Sequence, residues 1–369
     1  MPRSLRTALV GCGKVGAIHA RALRALPESD LVAVCDASID RANDFAARFG
    51  ARPFADVDAM LAAARPGAVV LATPHPLHAG AAIRSARAGA HVLVEKPIAA
   101  TLRDADAMLA AARESGVTLG VVSQRRFYEP VLRIRAAIDA GKIGRPALGV
   151  FAMFSWRDPA YYASDPWRGR WDAEGGGVLV NQSPHQLDLL RWFLGDVEEV
   201  TGTWANLNHP EVEVDDTAVA TVRFRNGGLG SIVTSLAQKP GLYTKVHVHG
   251  TNGASVGVET DRGATFIAGV SAIAEPPLND LWTIAGEEHL LAGFQAEDRA
   301  RFAAIDAADH YHALQVGDFL RACLEGRPPL VTGEDGREVV ALFTAIYRSH
   351  REGRPIRFPL SADDGDGRP

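Results

Sequence analysis

Gly89-Ala90-His91-Val92-Leu93-Val94-Glu95-Lys96-Pro97 is a small turn, a short apolar run and then a Glu-Lys-Pro triplet. The run is too short for a helix and rich in β-branched residues, so it is expected to form a buried strand with Lys96 at its C-terminal end. In an open parallel sheet that edge is where ligands bind. The residues before it should then form the sheet, and many of those after it a wall facing the Lys96 ammonium.

Upstream, Leu5–Val10 is a β-type run, followed by Gly11-Cys12-Gly13-Lys14-Val15-Gly16 and a helical apolar period over 17–26. A strand, a G-x-G-x-x-G turn and a helix together carry a mechanism that glycines alone do not. Gly11 permits the tight turn, Gly13 lets the backbone approach a pyrophosphate, and Gly16 lets helix and strand pack closely. The helix start at Lys14 and Val15 would face the phosphates. The next strand, 31–35, leads into Asp36, where a carboxylate would take ribose hydroxyls. Asp36 points to NAD over NADP, because it would repel a 2′-phosphate; Arg41 lies close enough to keep NADP possible. A surface turn with an acidic helix cap is the plainer alternative.

Helices are expected over 42–49, 57–64 and 83–88, and a strand over 68–72. Thr73-Pro74-His75-Pro76-Leu77-His78 is too proline-rich to continue either form, and this loop would lie along a dinucleotide. His75 and His78 have no cysteine or carboxylate beside them, so loop-anchoring hydrogen bonds are favoured over a metal. The β-α-β-α-β pattern through residue 96 fits a doubly wound parallel sheet, an α/β Rossmann domain. A helix over 101–114 and a strand over 117–123 complete it, which places the domain at 1–123. A helix over 130–140, ended by Gly141, follows.

From Pro146 the pattern alternates. Strands are expected at 148–154, at 218–224 and 229–235 around Asn226-Gly227-Gly228, and at 243–249 and 254–259. Sequential strands without intervening helices point to an α+β domain over 124–361 with a largely antiparallel open sheet. His247 and His249 share a strand face without a third ligand. Residues 305–324, with His310 and His312, and 333–350 form helices, 355–360 a closing strand, and 362–369 a disordered tail.

The second informative region is Trp167-Arg168-Gly169-Arg170-Trp171, Gly175-Gly176-Gly177 and Asn181-Gln182-Ser183-Pro184-His185-Gln186-Leu187-Asp188. Leu187, Leu190, Phe193 and Leu194 make a helical apolar face that Gly195 ends. Ser183, Pro184 and Gln186 supply a local start signal of cap, first position and capping-box partner. His185 then lies in the first turn, where the helix dipole favours the neutral imidazole that a base requires.

With the Gly11 to Gly16 fingerprint and His19, the Thr73-Pro74 loop with His78, and above all Ala90 to Pro97, the chain resembles the Gfo/Idh/MocA oxidoreductases. The likeness continues through Gly175-Gly176-Gly177 and His185 over nearly the whole length. It implies NAD or NADP as cofactor, a cis Lys96–Pro97 bond, and contact of Lys96 with the reacting substrate oxygen. It implies Thr73, Pro74, His78, Glu95, Lys96 and Gln124 on the cofactor side, with Gln124 and Arg125 at the passage between domains. It starts the helix before His185 near Gly177, which would put Asn181 and His185 on one face. It also implies a homodimer or homotetramer through the C-terminal sheet. Inositol-dehydrogenase-like members carry an acid where this chain has Asn181, and an amide cannot hold a proton; sugar-oxidising members carry Asn-Gln there.

Oxidising a secondary alcohol requires a base and a cation at one oxygen, and the candidates are His185 and Lys96. Arg125, Trp156, Arg168 and Asn181 complete the candidate substrate set, with a solvated charge at a helix start as the alternative for Arg125. Trp167, Trp171, Tyr161 and Tyr162 either line the pocket or belong to the core. The expected activity is reversible oxidation of a sugar, cyclic polyol or glycoside. The alternatives are a keto-sugar or aldehyde reductase, redox-neutral glycoside cleavage through transient oxidation, and a non-catalytic nucleotide sensor.

Composition bounds this reading. Net charge is 39 − 44 = −5 with basic residues dispersed, which argues against a nucleic-acid partner. The longest uncharged run, 66–83, contains three prolines and is a poor membrane span. Cys12, Cys35 and Cys323 are an odd number suited to free thiols, so a cytoplasmic protein is expected.

Overall fold

The computed structural model of the chain describes residues 4–260 and 275–365. It comprises two compact units: Met1–Gln124 with Ala308–Val340, and Arg125–Ala307 with Ala341–Pro369.

The first unit runs β1 (Leu5–Val10), α1 (Lys14–Ala25), β2 (Ser29–Cys35), α2 (Ile39–Phe49), β3 (Arg52–Phe54), α3 (Val57–Ala64), β4 (Ala68–Leu71), α4 (His78–Arg87), β5 (His91–Val94), α5 (Leu102–Glu114) and β6 (Leu119–Val121). All strands pair in parallel, in the order β3-β2-β1-β4-β5-β6. β4 is wholly buried, as an apolar run covered on both faces must be. Chain direction across the sheet reverses between β1 and β4, so the loops after them flank the crevice where such sheets bind ligands.

Two details depart from the expected elements. β3 was not anticipated; it contains Pro53, and proline is tolerated there because the strand lies at the sheet edge. α4 begins at His78 rather than 83, since a 3-10 turn at His75–Leu77 leads directly into it. Pro76 sits where a helical start has no use for its missing N–H.

The second unit begins with α6 (Glu129–Asp139), β7 (Pro146–Phe154), α7 (Pro159–Ala163), a single wide π turn at Val178–Gln182 and α8 (Pro184–Leu194). Then come β8 (Val197–Ala205), β9 (Thr217–Phe224), β10 (Leu229–Ser235), β11 (Tyr243–Gly250), β12 (Ser255–Glu259), β13 (Leu278–Trp282) and α9 (Leu290–Ala303). The chain closes with α10 (Ala307–Glu325), α11 (Gly333–Glu352) and β14 (Ile356–Arg357). The sheet order is β13-β12-β11-β7-β10-β9-β8-β14, with β7 and β10 parallel and the other pairs antiparallel. Alternation decides its faces: Ala218, Ala220, Val222 and Phe224 are buried, whereas Val219, Thr221 and Arg223 are exposed. α8 covers the buried side so closely that a Cβ on Gly149 would lie 2.6 Å from Leu194.

The domain limits expected from sequence need one correction. Residues 308–340 belong to the first unit, not to the second domain. Val316, Phe319 and Leu320 of α10, at helical spacing, enter the core formed by Leu9, Leu23 and Val34. The Gln315 amide donates to the Val121 carbonyl at 2.8 Å and accepts from the Ser123 N–H at 2.9 Å, which satisfies backbone beside the edge strand β6. The tail also starts later than expected: Ala362–Asp364 forms a 3-10 turn after the buried Leu360, and 366–369 lie outside the described residues. Among the described residues no helix is long and apolar enough to cross a membrane.

Candidate active site

In the first unit the crevice is shaped by glycine. Gly11 has φ of 102°, and a Cβ there would lie 2.6 Å from the Ala72 carbonyl carbon. A Cβ on Gly16 would fall 2.0 Å from the Gly11 oxygen, so α1 sits directly on the turn. Gly13 faces open space, with nothing within 4 Å of the position its Cβ would take. Gly13, Lys14 and Val15 are exposed at the start of α1, and no side chain caps that helix. An uncapped, exposed helix start presents backbone N–H groups and the positive end of the dipole to an anion.

Asp36 follows β2 and accepts from the Cys12 N–H (2.9 Å), the Ser38 N–H (2.9 Å) and the Arg41 guanidinium (2.7 Å). Burial alone would raise its carboxyl, but bonds from Arg41, Ser38 and Cys12 outweigh that and hold it below the usual range. Across the crevice Thr73 Oγ1 is buried without a hydrogen-bond partner. An open glycine, an uncapped helix start, an ionised carboxylate and an orphaned hydroxyl fit a dinucleotide.

His78 and Glu95 need reassignment. His78 is fully buried, with Nδ1 3.0 Å from the Pro97 carbonyl and Nε2 2.9 Å from the Thr73 carbonyl. It therefore clamps the Thr73 loop to the segment after Lys96 and offers no ring nitrogen to a cofactor, which is the anchoring role weighed for this loop. Glu95 Oε1 meets Nε2 of His19 at 2.8 Å, and Oε2 accepts the Lys96 N–H at 3.1 Å. Both oxygens thus hold the strand end from which Lys96 projects. The Lys96–Pro97 bond is cis, as the resemblance implied. His312 of α10 packs edge-on against His19, and ligand atoms of His19, Glu95 and His312 lie within 4.8 Å of one another.

In the second unit the start of α8 combines both sequence readings. Helical turns begin at Val178, with the Ser183 N–H bonding the Val178 carbonyl at 2.9 Å, and α-helical bonding starts at Pro184. The proline, which has no N–H, falls where the pattern changes. The expected capping box does not form. Ser183 is already helical (φ −80°, ψ −15°), and its hydroxyl meets Thr234 Oγ1 at 3.0 Å; the Gln186 amide donates to Thr260 Oγ1 at 3.2 Å. His185, the second residue of α8, is 7 % exposed.

Asn181 donates to Glu174 Oε1, and also to the Tyr161 hydroxyl at 3.2 Å. That hydroxyl meets the Gln182 amide at 2.8 Å and Arg168 Nη1 at 2.7 Å. Asn181 and Arg168 are therefore brought into one network, whose centre is Tyr161. Glu174 is 1 % exposed, and its Oε2 accepts the Gly169 N–H at 2.6 Å. Burial pushes its carboxyl up to about 7. Sequence reasoning overlooked Glu174; the signal was an acid directly before three glycines and the apolar run 178–180.

The remaining candidates sort differently. Arg125 Nη1 donates to Thr260 Oγ1 at 3.4 Å, and Gln124 Oε1 is buried without a partner. Trp156 packs on the His209 ring at 5.6 Å, and its carbonyl accepts from Arg157, whose guanidinium lies over the Tyr161 ring. Tyr162 also packs on His209 and is buried in the core, whereas Trp171, half-buried, packs on Trp204 and Tyr347. Trp167 stacks under Arg168 at 4.4 Å. His247 meets Asp280 and His249 meets Ser255, as ordinary strand residues do.

Residues 5–123 match the family model described as oxidoreductase family, NAD-binding Rossmann fold, and residues 131–256 match the GFO/IDH/MocA C-terminal domain. The myo-inositol 2-dehydrogenase of Thermotoga maritima is 26 % identical over 96 % of this chain and 98 % of its own. The inositol 2-dehydrogenase of Rhizobium meliloti is 29 % identical over 96 % of this chain and 99 % of its own. The crystal structure of the WlbA dehydrogenase from Bordetella pertussis, in complex with NADH and UDP-GlcNAcA, superposes with a TM-score of 0.84 at 33 % identity, covering 98 % of this chain and 99 % of that one.

Proposed function

The chain belongs to the Gfo/Idh/MocA family of oxidoreductases with an NAD-binding Rossmann unit, and from that membership we propose that it oxidises a secondary alcohol of a sugar, cyclic polyol or sugar nucleotide. Its relatives named for inositols and its structural neighbour holding a UDP-sugar acid support the carbohydrate class. Gly13, Lys14 and Val15 would hold the pyrophosphate of NAD, and Asp36 the adenosine ribose. Bound NAD supplies the hydride acceptor. Lys96 orients the reacting hydroxyl and stabilises the negative charge developing on its oxygen, while His185 takes the hydroxyl proton. In the reverse direction the same two groups serve a carbonyl oxygen. A base of this kind contributes about 10² to 10⁴ in rate.

The observation that carries the reading is the seating of Lys96: it follows β5, its amide is fixed by Glu95, and Glu95 is fixed by His19. A side chain set on a rigid strand end is suited to orient a substrate. The test is absorbance of reduced nicotinamide when the purified protein is given NAD with inositols, aldoses, glycosides and UDP-sugars. Stoichiometric NADH with one class is expected, and Lys96→Ala should abolish it while NAD binding persists. Silence on every class, with NAD binding verified, would overturn the reading.

The exposed sheet face also supports self-association. Leu148 pairs with Leu229, and Ala152 with Val233, and both Leu148 and Leu229 are exposed there. A second copy on this face is proposed, and light scattering that returned a monomer's mass would refute it.

A further inference from the structure

We propose that Glu174 sets which end of the Asn181 amide is turned toward substrate, and so acts as a positioning residue for the dehydrogenase reading above, on which this inference rests. Inositol-dehydrogenase-like members carry an acid where this chain has Asn181, and an amide cannot hold a proton. An acid is nevertheless present: Glu174, seven positions earlier, is bonded through Oε1 to Asn181 Nδ2. The substitution therefore does not remove the carboxyl from this part of the fold; it places an amide in front of it.

An asparagine amide has a donor end and an acceptor end, so whichever faces Glu174, the other faces away. An ionised Glu174 only accepts, which turns Nδ2 toward it and the amide oxygen outward. A protonated Glu174 can donate to Oδ1, and the amide then presents its NH2 outward. The flip is not isolated, because Nδ2 is shared with the Tyr161 hydroxyl, which also meets Arg168 and Gln182.

The groups facing Glu174 favour both states near neutrality. Burial raises its carboxyl; the Gly169 N–H, the Asn181 amide and the Arg168 charge lower it, and the Asp215 charge raises it, leaving it at about 7. Asp215 is itself held by the Gly177 and Leu179 N–H groups and the Tyr347 hydroxyl. Tyr161 and Tyr162 both feel the Glu174 charge, with phenols pushed further toward the neutral form.

The chemical consequence concerns substrate oxidation state. An outward amide oxygen accepts from an alcohol and offers a ketone nothing, whereas an outward NH2 donates to a ketone or to an alcohol oxygen. Ketone binding is then favoured below about pH 7 and weakened above it, while an alcohol finds a partner in either state. A matched against a mismatched hydrogen bond is worth about tenfold in the KM of the ketone.

The experiment is ¹⁵N NMR of the Asn181 side-chain amide in the full, substrate-free chain across this pH range, assigned with Asn181→Asp. Wild type should show a shift with a midpoint near 7, accompanied in infrared difference spectra by loss of a protonated-carboxyl band. Glu174→Gln should abolish the amide shift and the part of the carboxyl band with midpoint near 7, leaving the part near 6 that belongs to Asp215, and Glu174→Asp, one methylene shorter, should keep the band but uncouple the amide. An Asn181 resonance that is flat with pH in wild type, or that titrates unchanged in Glu174→Gln, would overturn the proposal. The wild-type measurement decides even if a variant fails to fold. Since it needs no turnover, silence with NAD and every alcohol sinks the dehydrogenase reading separately.

Discussion

His19 and Glu95 are joined inside the first unit by a 2.8 Å contact between Nε2 and Oε1. Burial alone would raise the Glu95 carboxyl, but the His19 bond and charge, then His312 and Lys96, outweigh it and hold it at about 2. A carboxyl depressed in the folded state contributes stability above its unfolded pKa of 4.5, and that contribution is lost as pH falls toward 2. Glu95→Gln removes the titration. The stability advantage of wild type over Glu95→Gln should shrink by roughly 3 kcal/mol between pH 6 and pH 2, as read by urea denaturation. An advantage that does not change with pH would show that Glu95 is not ionised by this contact.

A second buried pair makes a different prediction. Arg126 Nε and Nη2 meet the two Asp188 oxygens at 2.8 and 2.5 Å, and neither residue reaches solvent appreciably. Removing one partner leaves an uncompensated charge, so Arg126→Met should cost about 3 to 5 kcal/mol. Adding Asp188→Leu should restore most of that loss, because two apolar groups leave nothing unpaired. A double variant as unstable as the single one would mean that Arg126 acts through its packing on Trp192 instead.

How far the sequence could be read follows from what each signal depends on. β1, α1 and β5 were legible because periodicity and glycine placement are local, and they led directly to Gly11, Gly16 and Lys96. β8 was missed because its burial follows no strict alternation, and its pairing with β9 and β14 is decided by neighbours. The return of α10 to the first unit depends on Gln315 meeting Val121 and Ser123, nearly two hundred positions away, which no periodicity encodes. In the site, Asn181 was recognised but Glu174 was not, since the pairing of an acid with an amide across a glycine turn is visible only once the turn is folded.

Cofactor choice is testable at Asp36. Its Oδ1 holds the Arg41 guanidinium at 2.7 Å, so the cation that could take a 2′-phosphate is occupied by the carboxylate proposed to take the ribose. Asp36→Ala should weaken NAD about tenfold, the loss of a hydrogen bond to a charged group, and weaken NADP less because Arg41 is released. Fluorescence titration of both nucleotides decides this. Equal losses would refute the ribose contact.

The last prediction concerns Asp215, which lies fully buried and accepts from Gly177, Leu179 and the Tyr347 hydroxyl at 2.7 Å. Burial outweighs these bonds and pushes its carboxyl up to about 6. A carboxyl raised in the folded state contributes stability that is present in full below its unfolded pKa of 3.8 and lost as pH rises through 6. Tyr347→Phe removes one donor. Below pH 4 the carboxyl is neutral and the loss is that of a neutral hydrogen bond, about 1 kcal/mol; above pH 6 it is ionised and the loss rises to about 2 to 3 kcal/mol. Thermal unfolding of Tyr347→Phe should therefore fall away from wild type as pH rises through that window. A cost that stayed constant would mean that Asp215 keeps one protonation state throughout, and that the bond from Tyr347 serves packing beneath Gly176 rather than the carboxyl charge.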